Sequence, residues 1–234
     1  MIYFEDLPLE REILDALGEL KINYVFQSIY LPDGKTVYAR EALMRPIDKT
    51  VMQLIDEYTK LDKLHILEVA TFFGAMQEYL LRGYTEYICL NSFPSEYFTE
   101  AESKAFGEYY GYPNGLGIIE ILEYPYNSRL ACEMKRKAIR DQNLRIAIDD
   151  FGVGLNDMDM VDMYKPDFVK LDRELISDID FTPHKQKNVE KLVLEFHRRG
   201  MMVVAEGIEK KQEFNYLLGI GVDLFQGFYL SRPS

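Results

Sequence analysis

Residues 144–154 read LRIAIDDFGVG, the clearest instance of a pattern that recurs along the chain. The apolar run at 146–148 suits a short buried strand, and two carboxylates, Asp149 and Asp150, follow it directly. Six more apolar runs end in the same way, on a residue able to bind a metal or a phosphate: Glu41, Asn91, Glu120, Lys170, Glu206 and Gln226. In a closed parallel barrel the carboxyl ends of the strands meet at one mouth. The pattern therefore predicts one polar group per strand at a shared mouth.

The spacing of these runs predicts an α/β barrel. From Asn91 onward, the chain between successive polar strand ends suits one helix and one strand, with strands near 86–91, 116–121, 144–149, 167–171, 201–205 and 222–225. Two earlier strands flank Asp33-Gly34, a dipeptide typical of a hairpin turn, and a helical stretch over 49–82 follows them. We therefore predict a modified (β/α)8 barrel of the triose-phosphate-isomerase type with an antiparallel first strand. An open doubly wound sheet is the alternative, but no glycine-rich phosphate loop follows the first parallel strand.

Length and composition suit one domain without an obvious linker. The 234 residues are 47% apolar, and we expect a helical lead-in at 1–21 and a barrel at 22–234. A net charge of −12 disfavours binding to polymeric nucleic acid or to acidic membranes. The N-terminal sequence lacks a long apolar stretch, so we expect a cytoplasmic protein without a membrane span. Cys89 and Cys132 form no metal-binding motif and are expected to be buried, reduced thiols.

The residues predicted at the mouth suggest metal-assisted hydrolysis of a phosphoester. Its carboxylates would be Glu41, Glu120, Asp149, Asp150 and Glu206. So many like charges raise one another's pKa unless cations intervene, and Mg²⁺ or Mn²⁺ prefers oxygen ligands. The absence of a nearby His or Cys in the pattern argues against zinc. Two such ions can clamp a phosphodiester and activate a water, and Lys170 could position that water or stabilise developing negative charge.

The ordered set of motifs resembles one family. The segment 38–45 reads YAREALMR, and the motifs that follow it are NS at 91–92, EILE at 120–123, DDFG at 149–152, KLDR at 170–173, AEGIE at 205–209 and QGFY at 226–229. These resemble the EAL domains, bacterial phosphodiesterases that linearise cyclic di-GMP to the dinucleotide pGpG. The resemblance covers about residues 22–234 and implies a barrel with an antiparallel first strand, in agreement with the hairpin at Asp33-Gly34.

The resemblance implies a role for each matched residue. One metal would be held by Glu41, Asn91, Glu120 and Asp149, with Asp149 bridging to a second metal bound by Asp150. Glu206 would be a metal ligand or the general base, Lys170 would contact the water or the phosphate, and Gln226 would orient the water. The expected catalytic residues are thus Glu41, Lys170, Glu206 and Gln226. Glu123 would anchor the loop after Asp149, and Glu209 would support the site from outside. Near the substrate the matched positions are Gln27, Leu43 and Arg45, although a plain surface role for Arg45 is equally open.

The chain departs from the family pattern after DDFG. It continues Val153-Gly154-Leu155-Asn156-Asp157, where the family has Thr or Ala, Gly, an aromatic residue and two serines. Valine cannot donate the hydrogen bond of a threonine. Asn156 and Asp157 either substitute for the missing groups or cap the next helix, and we expect the cap. The family's Trp after Arg45 is Pro46 here, and its Gln-Pro is Gln27-Ser28.

Two hypotheses stay open besides the phosphodiesterase, and the departures support the first of them. One is a catalytically weak or inactive domain that acts as a cyclic di-GMP receptor or a protein-interaction module. The other is a barrel hydrolase that acts on a different phosphodiester. The resemblance leaves both a monomer and a homodimer open, since family members often pair through elements near the loop that is altered here.

Overall fold

Eight strands close into a barrel in sequence order, which confirms the predicted architecture. The computed structural model describes residues 7–110, 115–126, 128–152, 154–155 and 157–234. The strands are β1 (Ile22–Tyr30), β2 (Val37–Pro46), β3 (Tyr87–Ser92), β4 (Gly117–Ile121), β5 (Arg145–Phe151), β6 (Phe168–Leu171), β7 (Met202–Ala205) and β8 (Leu224–Phe225). Closure pairs β1 with β8 and leaves no open sheet edge among these strands, so the doubly wound alternative is excluded.

The first strand runs against its neighbours, as the hairpin signal predicts. β1 is antiparallel to both β2 and β8, and all other neighbouring pairs are parallel. In the turn, the Asp33 carboxylate accepts hydrogen bonds from the backbone N–H groups of Lys35 (2.9 Å) and Thr36 (2.8 Å). Gly34 has a φ of 63°, which glycine adopts without strain. The register places Gln27 opposite Glu41, so the hairpin brings one polar residue of β1 to the mouth.

The helices cover the outside of the barrel. They are α1 (Arg11–Glu19), α2 (Val51–Lys60), α3 (Leu64–Leu81), α4 (Glu100–Tyr110), α5 (Arg129–Asp141), α6 (Met158–Tyr164), α7 (Arg173–Ile176), α8 (Pro183–Arg198) and α9 (Lys211–Gly219). Among the helices that the structure describes, none combines the length and the apolar character that crossing a membrane requires. The lead-in helix α1 packs against α3. The assignment of 1–234 to a single domain stays a prediction.

Two predicted helical stretches are interrupted. The stretch over 49–82 is divided into α2 and α3 by a turn in which Asp62 has a φ of 56°. The helix predicted over 173–179 ends at Ile176, and a short 3-10 helix follows at Ile179–Phe181. The helix cap expected after the DDFG motif is confirmed for Asp157. Its side chain accepts hydrogen bonds from the backbone N–H groups of Asp159 (2.8 Å) and Met160 (3.4 Å) and caps α6. Asn156 lies outside the described residues.

The inside of the barrel is filled by one apolar layer below the mouth. Its buried members are Ile29, Ala39, Cys89, Ile118, Ala147, Phe168, Val204 and Leu224, one from each strand. Because side chains alternate between the two faces of a strand, the residue two positions nearer the mouth also points inward. Those residues are Glu41, Asn91, Glu120, Asp149, Lys170, Glu206 and Gln226, and on the reversed strand Gln27. The layer therefore seals the barrel and presents all eight polar groups at one end.

Candidate functional site

The Lys170 ammonium lies at the centre of the mouth. Its Nζ is 2.7 Å from Asp149 Oδ1, 2.7 Å from Glu206 Oε1, 3.0 Å from Glu120 Oε1 and 3.6 Å from Glu41 Oε2. Lys170 is only 1% exposed. Burial opposes its charge, but the surrounding carboxylates outweigh burial and hold the pKa of Lys170 well above its usual value. The structure thus brings together four of the predicted carboxylates around one cation.

The negative charge of the surrounding carboxylates exceeds the single positive charge of Lys170. Burial, followed by repulsion from Glu41 and Asp149, raises the pKa of Glu120 to about 8. Burial and the neighbouring Asp149 raise the pKa of Asp150 to about 7, and burial raises the pKa of Glu206 well above its usual value. Without a further cation the site therefore retains protons near neutral pH, as expected for clustered carboxylates.

The chemistry of the site fits divalent cations. Asp149, Asp150 and Glu206 each offer one carboxylate oxygen, and these oxygens lie within 4.8 Å of one another. Glu120 Oε2 is buried without a hydrogen-bond partner. A buried carboxylate oxygen without a partner is costly, and a cation would satisfy it. Together with the Asn91 amide these oxygens suit Mg²⁺, Mn²⁺ or Ca²⁺.

The Cys89 thiol lies directly below this site, in the apolar layer of the barrel. The sequence pattern predicted no Cys near the metal-binding residues. This prediction is wrong, because the Cys89 thiol is close enough to Glu120 for the carboxylate to shift its pKa. Burial and then Glu120 raise the pKa of Cys89 well above its usual value. Both Cys89 and Cys132 are free and buried, as expected.

A bulge at the end of β5 lets two consecutive carboxylates serve one site. In a regular strand Asp149 and Asp150 would point to opposite faces. The register with β6 shifts between Ile148 and Phe151, and Asp150 has a φ of 46°. Left-handed backbone is strained for residues other than glycine and is often found at functional sites. The bulge was not predicted, since no local signal in an Asp-Asp pair specifies it.

Amide side chains hold Glu41 from both sides. Gln226 Nε2 donates to Glu41 Oε2 at 2.6 Å, and Asn91 Nδ2 donates to Glu41 Oε1 at 3.3 Å. Gln226 Nε2 also lies 3.3 Å from Gln27 Oε1, and Gln27 Nε2 donates to the carbonyl of Ser231 at 3.3 Å. Two of the predicted residues, Asn91 and Gln226, thus orient the Glu41 carboxylate, and Gln27 accepts a hydrogen bond from Gln226. Ser231 was not predicted, because it contributes only a backbone carbonyl.

The predicted supporting residues lie outside the carboxylate cluster. Glu123 Oε1 accepts the backbone N–H of Leu155 at 3.0 Å, so Glu123 contacts the loop that follows Asp150. Gly154 has a φ of 53°, and a Cβ there would fall 1.5 Å from Glu123 Oε1. Glu209 accepts a hydrogen bond from Arg173 Nη2 at 2.8 Å. Val153 and Asn156, two of the positions that depart from the family pattern, lie outside the described residues.

A cavity of about 490 Å³ opens beside the carboxylates. Glu41, Asn91, Asp149 and Asp150 line its base, while Leu43 and the exposed Arg45 line its rim. The Arg45 guanidinium donates to the carbonyl of Met44 at 2.9 Å. Apolar side chains that sequence reasoning did not single out form the walls, among them Met52, Ile55, Phe93 and Tyr124. Phe93 and Tyr124 follow the ends of β3 and β4, so their place next to polar strand ends was a usable signal.

Fold and site together define a (β/α)8-type barrel with a cluster of carboxylates at its mouth that could hold a metal ion. The chain belongs to the EAL domain family, whose family model matches residues 10–233. Among curated relatives, the probable cyclic di-GMP phosphodiesterase PdeD of Escherichia coli K12 is 27% identical over 153 residues, 63% of this chain and 28% of PdeD. The cyclic di-GMP phosphodiesterase PdeL of the same strain is 27% identical over 96 residues, 41% of this chain and 26% of PdeL. The chain therefore spans well under half the length of these relatives.

Solved structures agree with this assignment. A standalone EAL protein from Vibrio cholerae O395, solved in a form bound to cyclic di-GMP, superposes with a TM-score of 0.83 over 92% of this chain and 93% of that chain, at 22% identity. This similarity establishes the fold. BlrP1 from Klebsiella pneumoniae, solved with manganese and cyclic di-GMP at pH 9.0, superposes with a TM-score of 0.79 at 26% identity, over 92% of this chain and 56% of that chain. The expected family and the expected fold are both confirmed.

Proposed function

We propose that this chain is a metal-dependent phosphodiesterase that hydrolyses cyclic di-GMP to linear pGpG. The observation that carries the proposal is the set of carboxylate oxygens of Asp149, Asp150 and Glu206, which lie within 4.8 Å of one another, with Asp149 and Asp150 lining an open cavity. Relatives in the same family are named cyclic di-GMP phosphodiesterases, and BlrP1 was solved with manganese and cyclic di-GMP. These similarities support the choice of substrate.

In this proposal the carboxylates divide between two Mg²⁺ or Mn²⁺ ions. Glu41, Asn91, Glu120 and Asp149 would hold one ion, and Asp149 with Asp150 would hold the other. Glu206, whose oxygen lies close to those of Asp149 and Asp150, would complete the second ion or face the attacking water. Bound ions would polarise the phosphodiester and lower the pKa of a water.

The side chains of the site would take up the proton of the attacking water and stabilise the negative charge on the phosphate. Glu206 would accept the proton of the attacking water, a role that its place beside Asp149 and Asp150 allows. Lys170 would stay charged and stabilise negative charge that develops on the phosphate oxygens. Gln226 and Asn91 would keep Glu41 in one orientation, so that little reorganisation is needed during the reaction. Attack in line with one 3′–5′ linkage would release the 3′ oxygen.

The cavity beside the site would bind the nucleotide. Its apolar walls, with Phe93 and Tyr124, suit the face of a guanine base, and Leu43 and Arg45 lie at its rim. Gln27 would contact the substrate from the reversed strand, next to Gln226. We propose a cytoplasmic location, which suits the free thiols of Cys89 and Cys132. A homodimer is part of the proposal, and light scattering of the purified chain tests it.

A cyclic di-GMP receptor without turnover is the second candidate. It is favoured by the contacts of Lys170, which partly neutralise the carboxylates without any metal. Under this alternative the cavity would bind the nucleotide while the cluster remains a structural feature.

Incubation of the purified chain with cyclic di-GMP and Mn²⁺ separates the candidates. The phosphodiesterase produces pGpG, and Glu41→Gln abolishes the product while the chain stays folded. Glu108→Gln, which changes an exposed carboxylate on α4, is the matched control and retains full activity. Binding of cyclic di-GMP without pGpG at high protein concentration would refute the enzyme and support the receptor.

A further inference from the structure

A second buried ion pair lies outside the mouth, between the barrel and its helices. Glu68 of α3 and Lys135 of α5 are each 2% exposed, and Lys135 Nζ is 3.0 Å from Glu68 Oε1. Both side chains form hydrogen bonds with the same segment, residues 92–96. Lys135 Nζ donates to the carbonyl of Phe93 at 2.7 Å, and also to Ser92 Oγ and to the carbonyl of Glu96. Glu68 Oε2 accepts the N–H of Phe93 at 2.9 Å, and Ser92 Oγ donates to Glu68 Oε1.

The segment held in this way directly follows Asn91. Because side chains alternate along β3, Asn91 points to the barrel interior and Ser92 points to the helices. Glu68 and Lys135 therefore hold, through Ser92, the residue next to Asn91 in β3. The carbonyl of Ser92 also accepts the N–H of Leu122 at 3.0 Å, just beyond Glu120. The ion pair thus contacts the strand end that carries Asn91 and is linked to the end that carries Glu120.

Stability alone does not account for this pair. Two charges removed from water cost several kcal/mol each, and their replacement by apolar residues of similar volume is often neutral or stabilising. The pair also borders an internal cavity of about 50 Å³ that is lined mainly by apolar side chains, including Phe72, Met76 and Ile139. Apolar side chains would suit that environment. What they would lack is the set of directed hydrogen bonds to residues 92–96.

We propose that the Glu68–Lys135 pair is a positioning element that holds the Asn91 amide in the orientation required at the mouth. The assignment of Asn91 as a metal ligand rests on the proposed function, whereas the control of its orientation does not. Residues that orient a ligand from behind affect metal affinity by about 10- to 100-fold in other proteins.

The test replaces both charges by apolar residues of similar size, Glu68→Leu with Lys135→Met. The first readout is the ¹⁵N–¹H signal of the Asn91 side-chain amide in the metal-free protein, assigned by its loss in Asn91→Asp. This signal should shift in the double variant, because the hydrogen bonds to Glu41 Oε1 and to the carbonyl of Ala42 change. The second readout is Mn²⁺ affinity by calorimetry, which should fall about 10-fold.

Arg136→Met is the matched control. Arg136 is the neighbour of Lys135 on α5 and also donates to a backbone carbonyl, that of Met163 at 2.6 Å, but this carbonyl belongs to α6. The control should leave both readouts unchanged. If the double variant does not fold, Ser92→Ala removes one hydroxyl of the network and should shift the Asn91 signal in a folded protein. An unmoved Asn91 signal in the folded variant would overturn the proposal. A wild-type chain that binds no Mn²⁺ would instead contradict the proposed function, because the amide signal is measured without metal.

Discussion

Removal of the Lys170 charge should destabilise the metal-free protein in a pH-dependent way. In Lys170→Met, four carboxylates lose a cation that lies 2.7–3.6 Å away. Removal of one partner of a buried ion pair costs about 3–5 kcal/mol, because the remaining charge is buried without compensation. Protonation of the carboxylates limits that cost, because an uncharged carboxyl group does not need a nearby cation. The pKa of Glu120 is already about 8 in the presence of Lys170, so protonation is within reach. We therefore expect a loss of about 3 kcal/mol at pH 8 and a smaller loss at pH 5.5.

Thermal unfolding monitored by circular dichroism measures this effect. For a chain of this size, 1 kcal/mol corresponds to about 2–4 °C, so the midpoint at pH 8 should fall by about 6–12 °C. Added Mn²⁺ should recover part of the loss, because a divalent cation bound only to the folded state stabilises it. Lys137→Met is the control, since Lys137 is 77% exposed and pairs with Asp141 on the surface of α5. A midpoint for Lys170→Met equal to that of Lys137→Met at pH 8 would refute the reasoning.

Three further predictions concern titration and packing. Since burial raises the pKa of Glu120 to about 8, the metal-free protein should lose stability between pH 5 and pH 8, and Glu120→Gln should flatten this dependence in urea unfolding. Gly154→Ala should lower the free energy of unfolding by about 1–2 kcal/mol and weaken Mn²⁺ binding, because the φ of Gly154 is 53° and an added Cβ would displace the Glu123 side chain. Gly83→Ala is the control: Gly83 has a φ of 68° and open space around its Cβ position, so this variant should retain Mn²⁺ affinity. Hydrogen bonds to two glutamates raise the pKa of His65 to about 10. The stabilisation that protonated His65 gives the folded protein should therefore be lost as the pH rises from 6.5 to 10, and His65→Gln should not show this loss.

Local patterns made much of the barrel predictable. A strand with one inward face must alternate, so an apolar residue followed two positions later by a polar one marks both the core layer and the mouth. Cys89 with Asn91 and Phe168 with Lys170 are such pairs. The hairpin at Asp33-Gly34 is equally local, since its turn closes through side-chain to backbone hydrogen bonds within four residues. The division between α2 and α3 was missed, because it depends on a single left-handed residue, Asp62.

The residues that reach the mouth can therefore be read from the chain, because alternation along each strand is a property of neighbouring residues. How those residues meet depends on the closed barrel. The Lys170 ammonium contacts carboxylates in three other strands and Glu206 directly after a fourth, and closure of the barrel sets those distances. The bulge that turns Asp150 toward Glu206, and the pairing of Glu68 with Lys135 on separate helices, likewise depend on packing between distant segments. No local pattern encodes such contacts, since their geometry exists only once the barrel has closed.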